Sequence, residues 1–182
     1  VRQRIVEEVT VGQGQRRREL DLEFEQFVVA AWPRLRRAAY LLCYNTDEAD
    51  DLVQTALAST YARWRSVRKD DAYSYVRRAV VNAYLDSLRR RRPVPVEHAP
   101  DRPVLPDHSG EERSELADLL APLSPRERTI IVWRYYLDAP EAEVAERLGI
   151  STGTVKSTAS RALARARSAA SVQAMSTEGE NR

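Results

Sequence analysis

The chain holds a single cysteine, Cys43, which excludes an intrachain disulfide and any cysteine-based zinc cluster. It follows the apolar run Tyr40-Leu41-Leu42, the setting of a packed thiol rather than a reactive one. Histidine is almost as scarce. Its two copies, His98 and His108, stand near Asp101 and Asp107 in a proline-rich stretch where nothing rigid would hold a metal, so no metal and no cofactor is expected. Glycine occurs only six times, with no Gly-rich phosphate loop, and no nucleophile is paired with a base; both absences argue against an enzyme. No apolar run approaches the roughly 20 residues of a membrane span, and no signal-peptide pattern opens the sequence. A cytoplasmic protein without membrane contact is the expectation. Alternating apolar and polar residues are missing too, which leaves an all-α fold.

Charge is present but sorted. The formal net charge is only +2, yet residues 150–170 carry Lys156, Arg161, Arg165 and Arg167 with no acid, and Arg89–Arg92 is an unbroken basic run. Acids gather at Asp47–Asp51 and Glu111–Asp118. Separated basic and acidic faces suit two kinds of partner.

The most informative stretch is Glu141–Arg167. Val144, Ala145 and Leu148 share one helical face, Gly149 offers a turn of positive φ, and Ser151 can cap a second helix. That helix turns Val155, Ala159 and Leu163 inward. A small Ala, a turn Gly and a buried Val at these offsets are what two closely crossing helices need, and they predict a helix-turn-helix. Its outward face, Thr154, Lys156, Ser157, Ser160, Arg161 and Arg165, offers hydroxyls and cations of the kind that meet base edges and phosphates in a major groove. The plainer alternative is an αα-hairpin with a solvated basic face. Thr158 stands where an aliphatic residue is usual, so packing there leans on Ala159 and Ala162.

Along the chain, residues 1–21 show no sustained apolar face and are expected to be a disordered extension. A helical pattern runs from Leu22 through Phe24, Phe27, Val28, Ala31 and Trp32, with a kink or break expected at Pro33, and resumes to Leu42. A second helix spans about 47–64, with Ala49, Leu52, Val53, Ala56, Leu57, Thr60 and Tyr61 inward. Its first turn carries Asp47, Glu48, Asp50 and Asp51, more acid than the helix dipole requires. A solvated helix start and a basic protein partner are both consistent with that excess. A third helix, about 71–91, places Val76, Val80, Ala83 and Tyr84 on one side and the stripe Arg78, Asn82, Asp86 and Arg89 on the other. Tyr73 and Tyr75, beside Arg65, Arg68 and Lys69, mix aromatic and basic groups in the manner of single-strand binding sites; core packing is the alternative for at least one of the two. Residues 93–110 contain five of the nine prolines and read as an extended linker. A second helical unit occupies 111–170. Within it Ser124-Pro125-Arg126-Glu127 is a strong helix start, with cap, first-turn proline and third-position acid in order. Residues 171–182 are expected to be a disordered tail. The fold class is therefore all-α, two small helical domains joined by an extended linker.

From Phe24 to Ala170 the sequence resembles an RNA polymerase sigma factor of the extracytoplasmic-function (ECF) type, group 4 of the sigma-70 family. Three segments carry the resemblance: DEADDLVQ at Asp47–Gln54, YSYVRRAVVNAYLDSLRR at Tyr73–Arg90, and Leu123–Arg167 with its LSPRER start and GTVKS recognition helix. The resemblance implies that Asp47, Glu48, Asp50, Asp51 and Gln54 bind the β′ clamp helices of core RNA polymerase, Asp51 and Gln54 falling on the contacting positions. It implies a melted −10 element held by Asn82 together with Tyr73, Tyr75, Arg78 and Arg89, in a pocket built from the loop Arg65, Ser66, Val67, Arg68 and Lys69. The −35 duplex falls to Thr154, Lys156, Ser157, Ser160, Arg161 and Arg165. The second unit would also dock on the β flap, and an anti-sigma factor is left open as a further partner. Three departures stand out: Ala139-Pro140 before the scaffold helix, Ser66-Val67 in the pocket loop, and the extension ahead of Leu22. A LuxR-type regulator also uses an LSPRE-like start and GTVK, but it leaves the acidic helix and the Asn82 stripe unexplained.

Overall fold

In a computed structural model, residues 2–67, 71–91 and 115–179 are described, with side chains over 14–67, 71–90 and 115–171. The linker assigned to 93–110, both histidines, Arg68 and Lys69 lie outside the described residues.

Helix α1 spans Arg2–Cys43, α2 Thr46–Tyr61 and α3 Ala72–Arg91, with a 3-10 turn at Trp64–Ser66 between the last two. These pack through Leu35, Ala38, Leu41, Leu42, Val53, Val76 and Val80, all sealed from solvent. Asn45 caps α2 by accepting the Glu48 amide on Oδ1 at 2.8 Å. The second unit comprises α4 at Glu115–Leu120, α5 at Pro125–Ile131 continuing as a π turn through Val132–Tyr136, α6 at Glu141–Leu148 and α7 at Thr152–Gly179. The α5 start forms as its sequence dictates. Ser124 Oγ accepts the Glu127 amide, and the Glu127 carboxylate accepts the Ser124 amide at 3.1 Å, satisfying two donors that a helix start leaves free.

Four expectations change. The first concerns residues 1–21: α1 begins at Arg2 and runs unbroken, so the extension is helical backbone rather than a loose arm. Leu20, Phe24, Phe27 and Ala31 recur at helical spacing, which carries the face back past Leu22. Secondly, Pro33 does not interrupt the helix. Pro33 and Val29 both lie on the exposed side, so the Val29 carbonyl that Pro33 cannot bond faces water. Thirdly, α7 continues past residue 170 to Gly179. Finally, Tyr61 turns outward with 43 % of its surface exposed, because its hydroxyl reaches Asp21 at 2.6 Å.

The two units also pack on one another, along a seam in which each caps the other's helix ends. Arg128 is 1 % exposed, and its Nε and Nη2 donate to the Leu42 carbonyl in the last turn of α1 at 3.1 and 2.8 Å. Its guanidinium lies 4.1 Å above the Tyr44 ring, and the Tyr44 hydroxyl donates to Ala117 O at 3.1 Å. In return Arg77 donates to the carbonyls of Leu137 and Asp138, each at 2.7 Å, where the π turn ends. Cationic donors at carboxyl-terminal carbonyls satisfy acceptors that the helix cannot. Tyr44 and Asp138, the residues that leave these two helical ends, both take positive φ, 57° and 55°. Burial pushes the neighbouring Cys43 thiol up to about 12, so it stays protonated at neutral pH.

Candidate nucleic-acid and polymerase interfaces

The hairpin between α6 and α7 turns at Gly149, whose φ of 66° and ψ of 33° are left-handed. There the Ile150 amide donates to Ala145 O at 3.0 Å and closes the helix end. Val144, Ala145, Val155, Ala159 and Ala162 are buried between the helices, and their small size lets the two backbones approach. Ser151 Oγ accepts the Thr154 amide at 3.1 Å and starts α7. This leaves Lys156, Ser157, Ser160 and Arg161 exposed on one face. Thr154 is half-buried, with its hydroxyl tied to Ser151 at 2.9 Å. Lys156 lies 3.5 Å from Glu141. Arg165, half-exposed, donates from Nη1 to Glu127 at 2.8 Å, which ties α7 to the α5 capping box.

On the first unit, a cleft of about 380 Å³ opens between α2 and α3, lined by Ser59, Arg63, Tyr75, Arg78, Asn82 and Asp86 among others. Three members of the expected −10 set, Tyr75, Arg78 and Asn82, thus come together. Arg65 and Ser66 lie exposed on the adjoining 3-10 turn and its flank, with Val67 half-buried. Arg89 is drawn to Asp86 at 2.9 Å. Tyr73 is not among the residues lining the cleft. Its ring lies under Arg34, 5.1 Å from the guanidinium carbon, and its hydroxyl is buried without a hydrogen-bond partner among the described residues. Burial raises the Tyr73 hydroxyl above its ordinary value, with Arg34 acting against it. Sequence reasoning missed Arg63. The signal was present, since Thr55 and Ser59 on α2 and Arg63 just past its end recur every four residues on the side that borders the stripe.

The far side of that stripe meets the second unit. Arg77, 7 % exposed, lies 3.2 Å from Glu143, and Arg78 lies 3.9 Å from the same carboxylate. Asn82 and Arg78 share a second cavity, about 340 Å³, with Trp133, Glu143, Glu146 and Arg147. Five buried polar atoms lack a partner among the described residues: Tyr73 Oη, Arg77 Nε, Asn82 Oδ1, Trp133 Nε1 and Glu143 Oε1. All lie along this seam. Unpaired buried groups cost about 1–3 kcal/mol each, so this polar stretch weakens the contact between the units, while apolar residues of both units share one buried core.

The acidic helix divides as well. Asp50 is engaged by Arg36 and Glu48 accepts from Ser87 at 3.2 Å, so both serve the fold. Asp47, Asp51 and Gln54, at i, i+4 and i+7, stand exposed on one face of α2. Among the described residues no cluster of metal-ligating side chains occurs, and no helix is long and apolar enough to cross a membrane.

A helix-turn-helix on one helical unit, joined to a second helical unit with a polar cleft, defines a DNA-binding transcription protein. Comparison with known proteins narrows the class. The Sigma-70 region 2 model matches residues 28–94 and the Sigma-70 region 4 model matches residues 113–165. The RNA polymerase sigma-E factor of Streptomyces coelicolor is 40 % identical over 152 residues, covering 80 % of this chain and 85 % of that protein. ECF RNA polymerase sigma factor SigM of Mycobacterium tuberculosis is 33 % identical over 145 residues, covering 78 % and 74 %. Among solved structures, the sigma factor RpoE of Bartonella quintana, crystallised with the anti-sigma factor NepR, superposes with a TM-score of 0.60 at 24 % identity, covering 82 % of this chain and 98 % of that one. The chain belongs to the sigma-70 family of RNA polymerase sigma factors, in its extracytoplasmic-function group. Sigma factors bind core RNA polymerase and promoter DNA, and as a family they regulate transcription rather than catalyse a reaction.

Proposed function

We propose that this chain brings core RNA polymerase to its promoters in the cytoplasm by gripping promoter DNA in two physical states. Lys156, Ser157, Ser160 and Arg161 read the −35 element as duplex, with Thr154 positioning the helix start. Tyr75, Arg78 and Asn82, with Arg63 and the Arg65-Ser66 turn, hold the −10 element as unpaired strand. Asp47, Asp51 and Gln54 dock on the β′ clamp helices, and the second unit docks on the β flap. What carries the reading is that the two units of one chain present different surfaces: an acid-free exposed helix face on one, and on the other a cleft mixing an aromatic ring, an amide and two arginines with one carboxylate, Asp86, that pairs with Arg89. The first suits a paired groove and the second an extruded base with its phosphates. No catalytic group is needed, since the polymerase performs the chemistry. Arg78 is 45 % exposed and already lines the α2–α3 cleft, with Glu143 3.9 Å away as a competing partner, so a strand bound there would draw Arg78 off Glu143 and loosen the seam. An anti-sigma factor that holds the seam shut would keep such a protein inactive.

Three substitutions test the parts. Arg161→Ala is expected to weaken −35 binding by about 1–3 kcal/mol with discrimination lost at one base pair, as a bidentate base contact requires. An equal loss on every −35 sequence would instead make it a phosphate contact. Asn82→Ala is expected to reduce permanganate reactivity of the −10 region in open complexes while duplex binding holds; unchanged reactivity would remove Asn82 from the site. Asp51→Arg should abolish retention of the chain on immobilised core polymerase with its helical circular dichroism intact, and full retention would count against the clamp contact.

A further inference from the structure

The part of helix α1 ahead of Leu22 does more than precede the first unit's core. Arg17, Asp21 and Phe24 continue the face that carries Phe27, at i, i+4 and i+7. Phe24 packs 5.0 Å from Tyr61 and 4.9 Å from Trp64, ring to ring, and Phe27 lies 5.2 Å from Trp64. This aromatic cluster fixes the middle of α1 against the 3-10 turn that follows α2. Tyr61 then donates to Asp21 at 2.6 Å, and that carboxylate raises the phenol above its ordinary value while Arg17 acts the other way.

Beside this joint lies a cleft of about 430 Å³, lined by Arg17, Asp21, Tyr61, Arg63, Arg65 and Ser66 among others. Three arginines face one carboxylate, and that carboxylate is already held by Tyr61. Arg16 and Arg18 add exposed positive charge on the same turn of α1. The decisive feature is continuity. Arg63 lines this cleft and also the α2–α3 cleft that contains Tyr75 and Asn82. A chain of phosphates crossing Arg63 passes from one cleft into the other.

We infer that the amino-terminal extension completes a second single-strand site, in which Arg17, Arg63 and Arg65 hold the phosphates and Tyr61 stacks a base of the promoter strand adjoining the −10 element. The inference rests on the reading of the α2–α3 cleft as the −10 site. The chemistry favours unpaired nucleic acid over an acidic protein surface. An exposed aromatic ring set among arginines serves base and phosphate together, whereas a carboxylate partner would use the arginines and leave the ring idle.

The test uses holoenzyme reconstituted from core polymerase and the full chain, with forked promoter DNA from a template it transcribes. One fork carries a non-template overhang ending at the −10 element, and others extend it by several nucleotides on either side. Arg17→Ala is expected to weaken binding to one extended fork by roughly three- to tenfold, and to lower the slope of log affinity against log salt by about 0.7 for each phosphate no longer held. On the short fork it should match the parent, and Arg17→Lys should recover most of the loss. Equal binding of Arg17→Ala and parent on every fork, with Asn82→Ala weak on all, would overturn the second site and leave the first standing. Loss of equal size on short and extended forks would also overturn it, because Arg17 would then be propping Tyr61 rather than holding DNA. If Asn82→Ala too binds every fork normally, the −10 reading falls and the second site with it.

Discussion

Arg128→Ala is expected to lower the stability of the folded chain by about 2–4 kcal/mol, judged from what charged hydrogen bonds and desolvated cation–π contacts contribute. Two donors to the Leu42 carbonyl disappear together with the guanidinium over Tyr44. The carboxyl-terminal turn of α1 loses its cap in a place closed to water, and a cavity remains where a large side chain stood. The melting temperature should fall by roughly 5–15 °C for a chain of this size. Arg128→Lys should recover little, because an ammonium lacks the planar fork that reaches one carbonyl with two nitrogens while lying flat on a ring. An alanine variant that melts with the parent would mean that the seam adds nothing to stability.

Glu143→Arg acts on the same seam at its Arg77 end, with its larger effect on shape and DNA binding. The substituted side chain would face Arg77, which is almost fully buried, and Arg78. Like charges brought together in a contact cost several kcal/mol, and a seam that already holds unpaired polar groups has little to set against that. The units are expected to separate with their helices intact, seen as an increased radius of gyration in small-angle scattering and unchanged circular dichroism. With Arg78 released from the Glu143 carboxylate and Asn82 freed from the cavity it shares with the second unit, affinity for single-stranded −10 DNA should rise by roughly tenfold, corresponding to about 1.4 kcal/mol no longer spent on that competition. Glu143→Gln keeps the shape without the charge and should fall between. A compact Glu143→Arg variant with parental DNA affinity would show that the seam does not gate the cleft.

Local chemistry was legible in the sequence where one short stretch decides the outcome. Gly149 takes the left-handed turn, Ser124 and Glu127 form the capping box, and Asn45 caps α2, each through partners within a few residues. The helical spacing of Arg78, Asn82 and Asp86 likewise brought a polar stripe to one cleft. Roles set by partners far along the chain were not legible. Nothing near Arg128 or Arg77 distinguishes a buried cap from one more surface cation, because the carbonyls they reach lie 86 and 60 residues away. Arg165 belongs to the basic face by periodicity, and its ion pair with Glu127, 38 residues earlier, was not legible. Tyr61 counted as core until Asp21 drew its hydroxyl outward. The extension failed for another reason: its polar composition hid a face that only the aromatic cluster around Trp64 makes worth ordering.

The central claim is that one chain selects promoters for a polymerase that does not select them alone. Run-off transcription on a promoter library, with core enzyme in the presence and absence of this chain, measures that selection. The account predicts discrete start sites that appear only with the chain, preceded by a shared pair of sequence elements at constant spacing, with element preference altered by Arg161→Ala and opening lost with Asn82→Ala. Tight, sequence-specific binding of the chain alone to duplex DNA, together with no start site beyond those of core enzyme by itself, would contradict it.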